Sequence, residues 1–519
     1  MLPPVPGTRR NIGKVWLVGA GPGDPELITV RGAAVLRRAD VVLYDALSHP
    51  ALLEWVGPSA ELRNVGKRGG RSSPSQSWIT EQLIALAREG KQVVRLKGGD
   101  SYLFARGAEE ALALAEAGIE FEVVPGLSSP VGTSAYAGIP LTHRELSSSV
   151  TFITGSDRAG KEWSEAAWEQ LSTATETLCI LMGMRRIRQI VGALISGGRS
   201  PQTPTAVVQW GARPAQRVVT APLADIADVA ERAGMSNPAV IIVGEVVRLR
   251  QQLDWFERKP LFGRRVLITR AAHQSDAVAR AVRELGAEPL VYPVIEIVPP
   301  PDLAPLRQAI AQLDRYQRVL FTSANGVERF FAQLRQQQRD ARSLSGCRVG
   351  AIGPKTAAAL EPHGVQPDLV ADEFVGEALA QRVLEAGPPG ARVLIPRALQ
   401  ARMEMVELLS DAGCEVEVVA TYQTIPLGTS GASQLREQFR AGEIDTVLWT
   451  SSSTVTATVQ ALGDQAAELL RSTCVASIGP ITTARARELG VHVDVTAKSY
   501  TVDGLLEALA EHVGGQHGE

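Results

Sequence analysis

From Val15 to about residue 125, short apolar runs rich in β-branched residues alternate with longer stretches whose apolar positions recur every three to four residues. The runs are VWLVGAG, DVVLYD, QVVRLKGGD and FEVVPG, each closed by glycine, proline or an acid; the stretches between them include ITEQLIALAREGK and GAEEALALAEAG. A strand can rejoin its neighbour in parallel only through a crossover of about a dozen residues or more, and helical stretches of that length supply it. The alternation therefore predicts an α/β fold with mostly parallel strands. A Ser/Thr-rich passage then leads to TLCILMGM, PTAVVQWG and PAVIIVGEVVRL, a second set of buried strands, so the first half reads as two lobes, about 15–125 and 126–250.

The pattern breaks at RQQLDWFERKPLFGRR and restarts at RRVLITRA. This places an N-terminal tail at 1–12, a first domain at 13–257, a linker at 258–262 and a second domain at 263–519. The second domain repeats itself: VLITRA at 266 returns as VLIPRA at 393, VLFTSANGV at 319 as VLWTSSSTV at 447, and AIGPKTAAAL at 351 as SIGPITTARA at 477. Offsets of 127, 128 and 126 residues over three different motifs imply two copies of one α/β unit, with matching strand ends placed to face each other across a cleft.

Composition adds exclusions. With 45% hydrophobic and 21% charged residues and a net charge of -3, the chain has the balance of a soluble globular protein and no basic excess for nucleic acid or an anionic membrane surface. MLPPVPGTRRN has prolines where a signal peptide needs an apolar helical core, and no apolar run approaches a membrane span, so a cytoplasmic location is expected. Cys179, Cys347, Cys414 and Cys474 lie far apart without a C-x-x-C pair; they are read as core fillers, with neither a metal site nor a disulfide framework indicated.

The loop GAGPGDP after the first strand invites comparison with a dinucleotide fingerprint, and Asp45 lies at the end of the next strand, where a ribose-binding acid would be. Such a fingerprint needs a helix starting inside the glycines, so that free amides meet phosphate. Pro22 and Pro25 interrupt the stretch and remove donors, which makes it a poor phosphate cradle but a rigid loop. A nucleotide loop, a structural turn and a contact to another ligand stay open from spacing alone. Downstream, Lys67, Arg68 and Arg71 follow one strand, and Arg95, Lys97, Asp100 and Arg106 lie on or after another. Cations at the ligand-binding ends of strands suit a polycarboxylate, although solvated faces carry similar runs.

At this point seven motifs carry a resemblance. VGAGPGDPELIT, ADVVLYDAL, VGKRGG, VRLKGGD, VVPG, AYAGIPLTHR and PAVIIVGEVV occur in the order found in uroporphyrinogen-III C-methyltransferases of the tetrapyrrole methylase family, over about residues 13–256. The resemblance implies two αβα lobes, a homodimer through this half, and S-adenosylmethionine as cofactor in the cleft between the lobes. It assigns cofactor contacts to Pro22, Gly98, Gly99, Asp100, Leu103, Ser128, Ser129, Met182 and Gly211. PGLSSPVG and GGDSYLFARG depart from the family's usual Thr-Ala and GGDPFIFGRG, which puts side-chain roles there in question. By the same resemblance Asp45 is the catalytic proton acceptor and Lys67 its donor or electrostatic partner, while Arg68, Arg106, His143 and Arg144 are placed at the substrate. Without the resemblance, Asp45 reads equally as a capping acid after a strand, and His143 as a structural histidine.

The repeat half resembles uroporphyrinogen-III synthases over about residues 262–512, carried by VLITRA, FTSANGV, AIGPKTAAAL, TYQT, WTSSSTV, SIGPITTARARELGV and AKSYTVDGLLEAL. This implies two α/β lobes joined by a two-stranded connector and no cofactor. Tyr422 matches the tyrosine proposed to assist hydroxide departure, against a bland reading as an aromatic packed between lobes. Ser323, Ser451, Thr356 and Thr482 are placed at the substrate, the threonines because amides at helix starts after Gly-Pro turns suit carboxylates. Together the resemblances imply a bifunctional enzyme that closes hydroxymethylbilane to uroporphyrinogen III with inversion of ring D. The first half then methylates the product at C2 and C7 to precorrin-2, for sirohaem or cobalamin. The partners implied are small tetrapyrroles alone. Two alternatives are a first half acting on a later corrin precursor, and a repeat half that is a non-catalytic tetrapyrrole-binding regulatory module.

Overall fold

The computed structural model describes residues 12–66, 74–155, 165–270, 275–372, 375–386, 390–401, 403–426 and 428–516. Two units emerge, one built on the chain up to Arg264 with the short pieces Val282–Glu288 and Val513 onward, the other on Arg265–Ala281 and Pro289–His512.

In the first unit, β1 (Lys14–Gly19), β2 (Val41–Tyr44), β3 (Glu61–Asn64), β4 (Gln92–Lys97) and β5 (Glu120–Val124) form a sheet in the order β3-β2-β4-β1-β5, parallel throughout. Alternate residues go to opposite faces. Val15, Leu17, Leu43 and Val93 pack on Leu83 and Leu86 of helix Gln76–Arg88 and Leu114 of helix Gly107–Glu116. Val18, Val42, Val94 and Leu96 pack on Leu36 of helix Val30–Leu36 and Leu52 of the turn Pro50–Trp55. Burial on both faces explains the near-continuous apolar runs, and each such side chain contributes roughly 1.5–3 kcal/mol.

The second sheet of this unit contains β6 (Val150–Thr154), β7 (Thr177–Leu181), β8 (Pro204–Gln209), β9 (Arg217–Pro222) and β10 (Ala239–Val243), ordered β6-β7-β10-β8-β9. Only β6 and β7 pair in parallel; β10 runs antiparallel to β7 and β8, and β9 antiparallel to β8. The mostly parallel pairing expected of the first half thus stops within its second lobe. The segment between β8 and β9 carries no helix, so β9 folds back as a hairpin. Cys179 and Cys414 are buried in apolar clusters, Cys347 and Cys474 are half-buried, and all four are free thiols.

The second unit adds β11 (Arg265–Ile268), β12 (Glu288–Val291), β13 (Ile295–Val298), β14 (Arg318–Phe321), β15 (Arg348–Ala351), β16 (Leu369–Val370), β17 (Arg392–Ala398), β18 (Glu415–Pro426), β19 (Thr446–Trp449), β20 (Cys474–Ser477) and β21 (Val495–Thr496). Its sheets are β12-β11-β19-β20-β21 and β13-β18-β17-β14-β15-β16. The two sequence copies do not map one to one onto the two sheets. β11, from the first copy, lies beside β19 of the second, and β17 of the second lies beside β14 of the first. The two copies exchange their opening strands, leaving two sheets of like order. The physical reason is a short connection: β12 ends at Val291 and β13 begins at Ile295, too soon for a helical crossover. The chain therefore passes into the other sheet, where β13 pairs antiparallel with the end of β18, from Ile295↔Pro426 to Val298↔Gln423. These paired strands form the two-stranded connector between the lobes.

Candidate functional site

The first unit's cleft begins where three backbones converge at the carboxyl ends of β1, β4 and β5. A Cβ on Gly19 would lie 2.5 Å from the Cα of Gly126, and one on Gly126 2.4 Å from the Gly99 carbonyl, so only glycine fits at these crossings. Gly21 and Gly99 bridge their loops through paired backbone hydrogen bonds of 3.1 and 2.8 Å, both at left-handed φ (+82° and +69°). This closes the loop over the strand end without a helix that could receive phosphate. Pro22 lines the cleft and packs on helix Ser129–Tyr136, where a Cβ on Gly132 would fall 2.3 Å from the Pro22 Cγ. Asp24 caps the turn Pro25–Leu27 by accepting the Glu26 N–H at 2.9 Å, and accepts the Tyr136 hydroxyl at 2.7 Å. Burial, and then the Asp24 carboxylate, push the Tyr136 phenol well above its ordinary value. The nucleotide-loop alternative loses its ground here: the loop is proline-stiffened and pinned to the next helix.

Asp100 ties two loops together. Its Oδ1 accepts the N–H groups of Tyr102 (2.8 Å) and Leu103 (3.0 Å), and its Oδ2 accepts the Gly126 N–H at 3.0 Å. Phe104, Arg106, Met182 and Trp210 all line the cleft and all adopt left-handed φ between 52° and 61°. For non-glycine residues such backbone costs on the order of 1–3 kcal/mol each and concentrates at functional surfaces.

The cleft encloses about 1220 Å³ and brings together Pro22, Asp45, Gly98, Gly99, Asp100, Leu103, Arg106, Ser128, Ser129, Met182 and Gly211, all singled out from the sequence. Lys67 and Arg68, named there as catalytic and substrate residues, and Arg71 lie outside the described residues. His143 and Arg144 do not line the cleft: His143 closes a local turn, bridging to Ser147 and accepting the Glu145 N–H at Nδ1, and Arg144 is solvent-exposed. That geometry gives His143 a turn-forming role, and the placement of both residues at the substrate rests on the resemblance alone. Arg106 reaches the rim but pairs with Glu109 three residues on. Arg185, Arg186 and Arg213, which sequence reasoning missed, add cations to the lining. Arg213 donates to the Leu47 carbonyl at 2.6 Å and lies over the Trp210 ring, and burial pushes its guanidinium down.

Asp45 is not a capping acid; the turn that follows is capped by His49. Its Oδ1 accepts Arg95 at 2.6 Å. Arg95 and Lys97, two residues apart on β4, point to the same face and meet Glu110, whose Oε1 accepts them at 3.2 and 2.9 Å. Burial, then the Arg95 charge, push the Lys97 ammonium down, outweighing its contact with Glu110. Glu110 was also missed, although the buried stripe Gly107, Glu110, Ala111, Leu114 puts an acid where an apolar residue belongs.

In the second unit, Ser323 and Ser451 occupy equivalent positions. Each caps the helix after its strand, accepting the Gly326 N–H at 3.0 Å and the Thr454 N–H at 3.3 Å. The hydroxyl of Tyr422, a buried residue of β18, lies 3.2 Å from the Ser323 hydroxyl, so two predicted site residues meet. Thr356 and Thr482 are buried in the first turns after Gly353-Pro354 and Gly479-Pro480, which leaves backbone rather than hydroxyls to face a ligand. Burial, then the charge of Arg270, push the Lys355 ammonium down. Among the described residues no cluster of acids, histidines and cysteines could hold a metal, and no helix is long and apolar enough to cross a membrane.

Comparison with known proteins agrees with this division. The tetrapyrrole (corrin/porphyrin) methylase family matches residues 14–227, and the uroporphyrinogen-III synthase HemD family matches residues 276–507. Porphyrin biosynthesis protein HemD of Ruminiclostridium josui is 37% identical over 503 residues, 97% of this chain and 99% of that protein. Uroporphyrinogen-III C-methyltransferase of Bacillus subtilis (strain 168) is 38% identical over 362 residues, 69% of this chain and 74% of its own. The S-adenosyl-L-methionine-dependent uroporphyrinogen III methyltransferase of Methanosarcina barkeri is 48% identical over 243 residues, 47% of this chain and 95% of its own.

Proposed function

The chain belongs to the porphyrin-biosynthesis family that joins a tetrapyrrole methylase half to a uroporphyrinogen-III synthase half, and from that premise we propose how its two sites divide the work. The second unit closes hydroxymethylbilane to uroporphyrinogen III with inversion of ring D, and the first methylates that product at C2 and C7 to give precorrin-2. The observation that carries the methyltransferase reading is the single cleft of about 1220 Å³ in which Asp45 opens beside Pro22, Gly98, Gly99 and Met182. That volume exceeds the roughly 300–1,000 Å³ of a site for one small ligand, as two reactants require.

The residues fit S-adenosylmethionine. Close-packed loops leave little beyond backbone at Gly98, Gly99 and Gly211, Leu103 and Met182 give apolar walls, and a group without phosphate has no need of the helix start that Pro22 and Pro25 preclude. When bound, it supplies an electrophilic methyl group on a sulfonium. Asp45, held by Arg95, is placed to take the proton that the macrocycle loses. Arg185, Arg186, Arg213 and Arg106 offer partners for substrate carboxylates. Lys67 is retained as donor or electrostatic partner from the resemblance alone. In the second unit Tyr422 assists departure of hydroxide, with Ser323 orienting its hydroxyl and the helix starts at Thr356 and Thr482 receiving carboxylates. A cofactor-free synthase half, a homodimer through the methyltransferase half and a cytoplasmic location complete the reading; the first two rest on the resemblance alone.

Supplying hydroxymethylbilane and methyl-labelled S-adenosylmethionine to the whole protein tests both halves together. The expected product is a type III macrocycle carrying two labelled methyl groups. A type I macrocycle would sink the synthase half of the reading, and an unmethylated type III product the other.

A further inference from the structure

At the cleft wall lies a set of four charges, of which Asp45, Arg95 and Lys97 line the cleft, Glu110 sits behind them, and only Asp45 is not buried. Glu110 is fully buried, and its Oε1 gathers Arg95 Nε (3.2 Å), Lys97 Nζ (2.9 Å) and the Gln76 amide (2.8 Å). The far end of the Arg95 guanidinium donates to Asp45 at 2.6 Å, and its remaining Nη reaches the carbonyls of Leu43 and Leu96, each at 3.3 Å. A guanidinium held on every side cannot swing away from Asp45. Buried ion sets of this kind seldom stabilise a fold more than well-packed apolar residues would, so stability does not account for one placed against the cleft.

We propose that Arg95 and Glu110 are positioning residues for methyl transfer: Arg95 aims the Asp45 carboxylate into the cleft, and Glu110 holds Arg95 and Lys97 in place while offsetting their charge. The inference rests on the reading of Asp45 as proton acceptor. With both cations charged, two carboxylates and two cations sum to zero. When the new carbon–carbon bond has formed, the bond to hydrogen breaks, its electron pair returns to the macrocycle and the proton goes to Asp45. The set is then left at plus one, which favours return of that proton to water. Of the other charged groups, Arg106, which leads into the Glu110 helix, feels the charge of Glu110 and pairs with Glu109, and Asp100, Arg185, Arg186 and Arg213 line the same cleft as Asp45.

The two residues act on Asp45 with opposite signs. Glu110→Gln leaves the cations less offset, which favours the carboxylate, so the acid limb of the kcat profile for methyl transfer moves to lower pH. A weaker base then lowers the plateau roughly 10- to 100-fold. Arg95→Met leaves Asp45 facing Glu110 with one cation fewer, so the acid limb moves to higher pH. Both variants are assayed as full chains with uroporphyrinogen III, and Glu110→Gln should keep S-adenosylmethionine binding within about twofold of the parent, since Glu110 does not line the cleft. Shifts in the same direction, or a loss of kcat with no shift, would overturn the proposal. Should Glu110→Gln fail to fold, the double variant Glu110→Gln/Lys97→Met keeps the set neutral and is expected to show the parental acid limb; a displaced limb there is equally fatal. Asp45→Ala separates the two levels: turnover by it removes Asp45 from the mechanism, whereas a dead Asp45→Ala with unshifted limbs in the other variants removes only this inference.

Discussion

Asp100 was expected to contact the cofactor, yet the structure gives its carboxylate three backbone donors from two loops, and Asp100→Asn separates these roles. The amide can keep its oxygen toward Tyr102 and Leu103, but its NH₂ then faces the Gly126 N–H, donor against donor. A hydrogen bond to a charged acceptor contributes about 1.5–3 kcal/mol, and the two retained bonds weaken when the acceptor becomes neutral. Discounting the exposed Tyr102 bond, the substitution should cost about 2–3 kcal/mol. For a domain of this size that is a fall of roughly 5–10 °C in the melting temperature of the methyltransferase half. S-Adenosylmethionine affinity should fall with it, by at most about 100-fold, because the loop must be closed again on binding. Differential scanning calorimetry and calorimetric titration of the same preparation read both quantities. An unchanged transition with a large loss of affinity would refute the loop-tie reasoning and return Asp100 to direct ligand contact.

Three further outcomes follow from the geometry. Gly132→Ala puts a methyl 2.3 Å from Pro22, and overpacking at about 1–3 kcal/mol should displace the loop and weaken S-adenosylmethionine binding roughly tenfold, read by titration against an unchanged secondary-structure spectrum. Tyr422→Phe removes a hydroxyl 3.2 Å from Ser323; cyclisation should slow by about 10²- to 10⁴-fold and type I product should accumulate, as chromatography of the oxidised porphyrins would show. Burial holds Lys97 below its ordinary 10.5, so between its folded value and 10.5 the unfolded chain binds the additional proton and stability rises with pH through that window. Lys97→Met should flatten the alkaline slope of melting temperature against pH, and an unaltered slope would place Lys97 outside the linkage.

The residues that share the cleft were named through the family resemblance, and some of them also carry a backbone mark. Gly98 and Gly99 after an apolar strand, and Pro22 beside Gly21, announce loops that approach closely, and Leu103, Met182 and Gly211 joined the same cleft. Glu110 was lost in a helix whose alternation of Ala, Leu and Glu looks ordinarily amphipathic. The cue lay in combining two elements: Arg95 and Lys97 share a face of a strand buried on both sides, and such cations need an acid beneath them. Arg213 carried no local mark, since its value comes from the Trp210 ring and the Leu47 carbonyl, 166 positions away.

The sequence by itself determined where strands and helices lie, because apolar periodicity and glycine placement are local properties, and it determined that the second half holds two related copies. Only the tertiary structure decided which strands became neighbours. The copies trade their first strands because the turn from β12 to β13 is too short for a crossover. Likewise, sequence put Asp45 at a strand end, but its guanidinium clamp exists only because parallel pairing sets Leu43 beside Arg95 and the next helix turns Glu110 inward. Contacts of that kind depend on register and packing between distant segments, which no stretch of residues encodes alone.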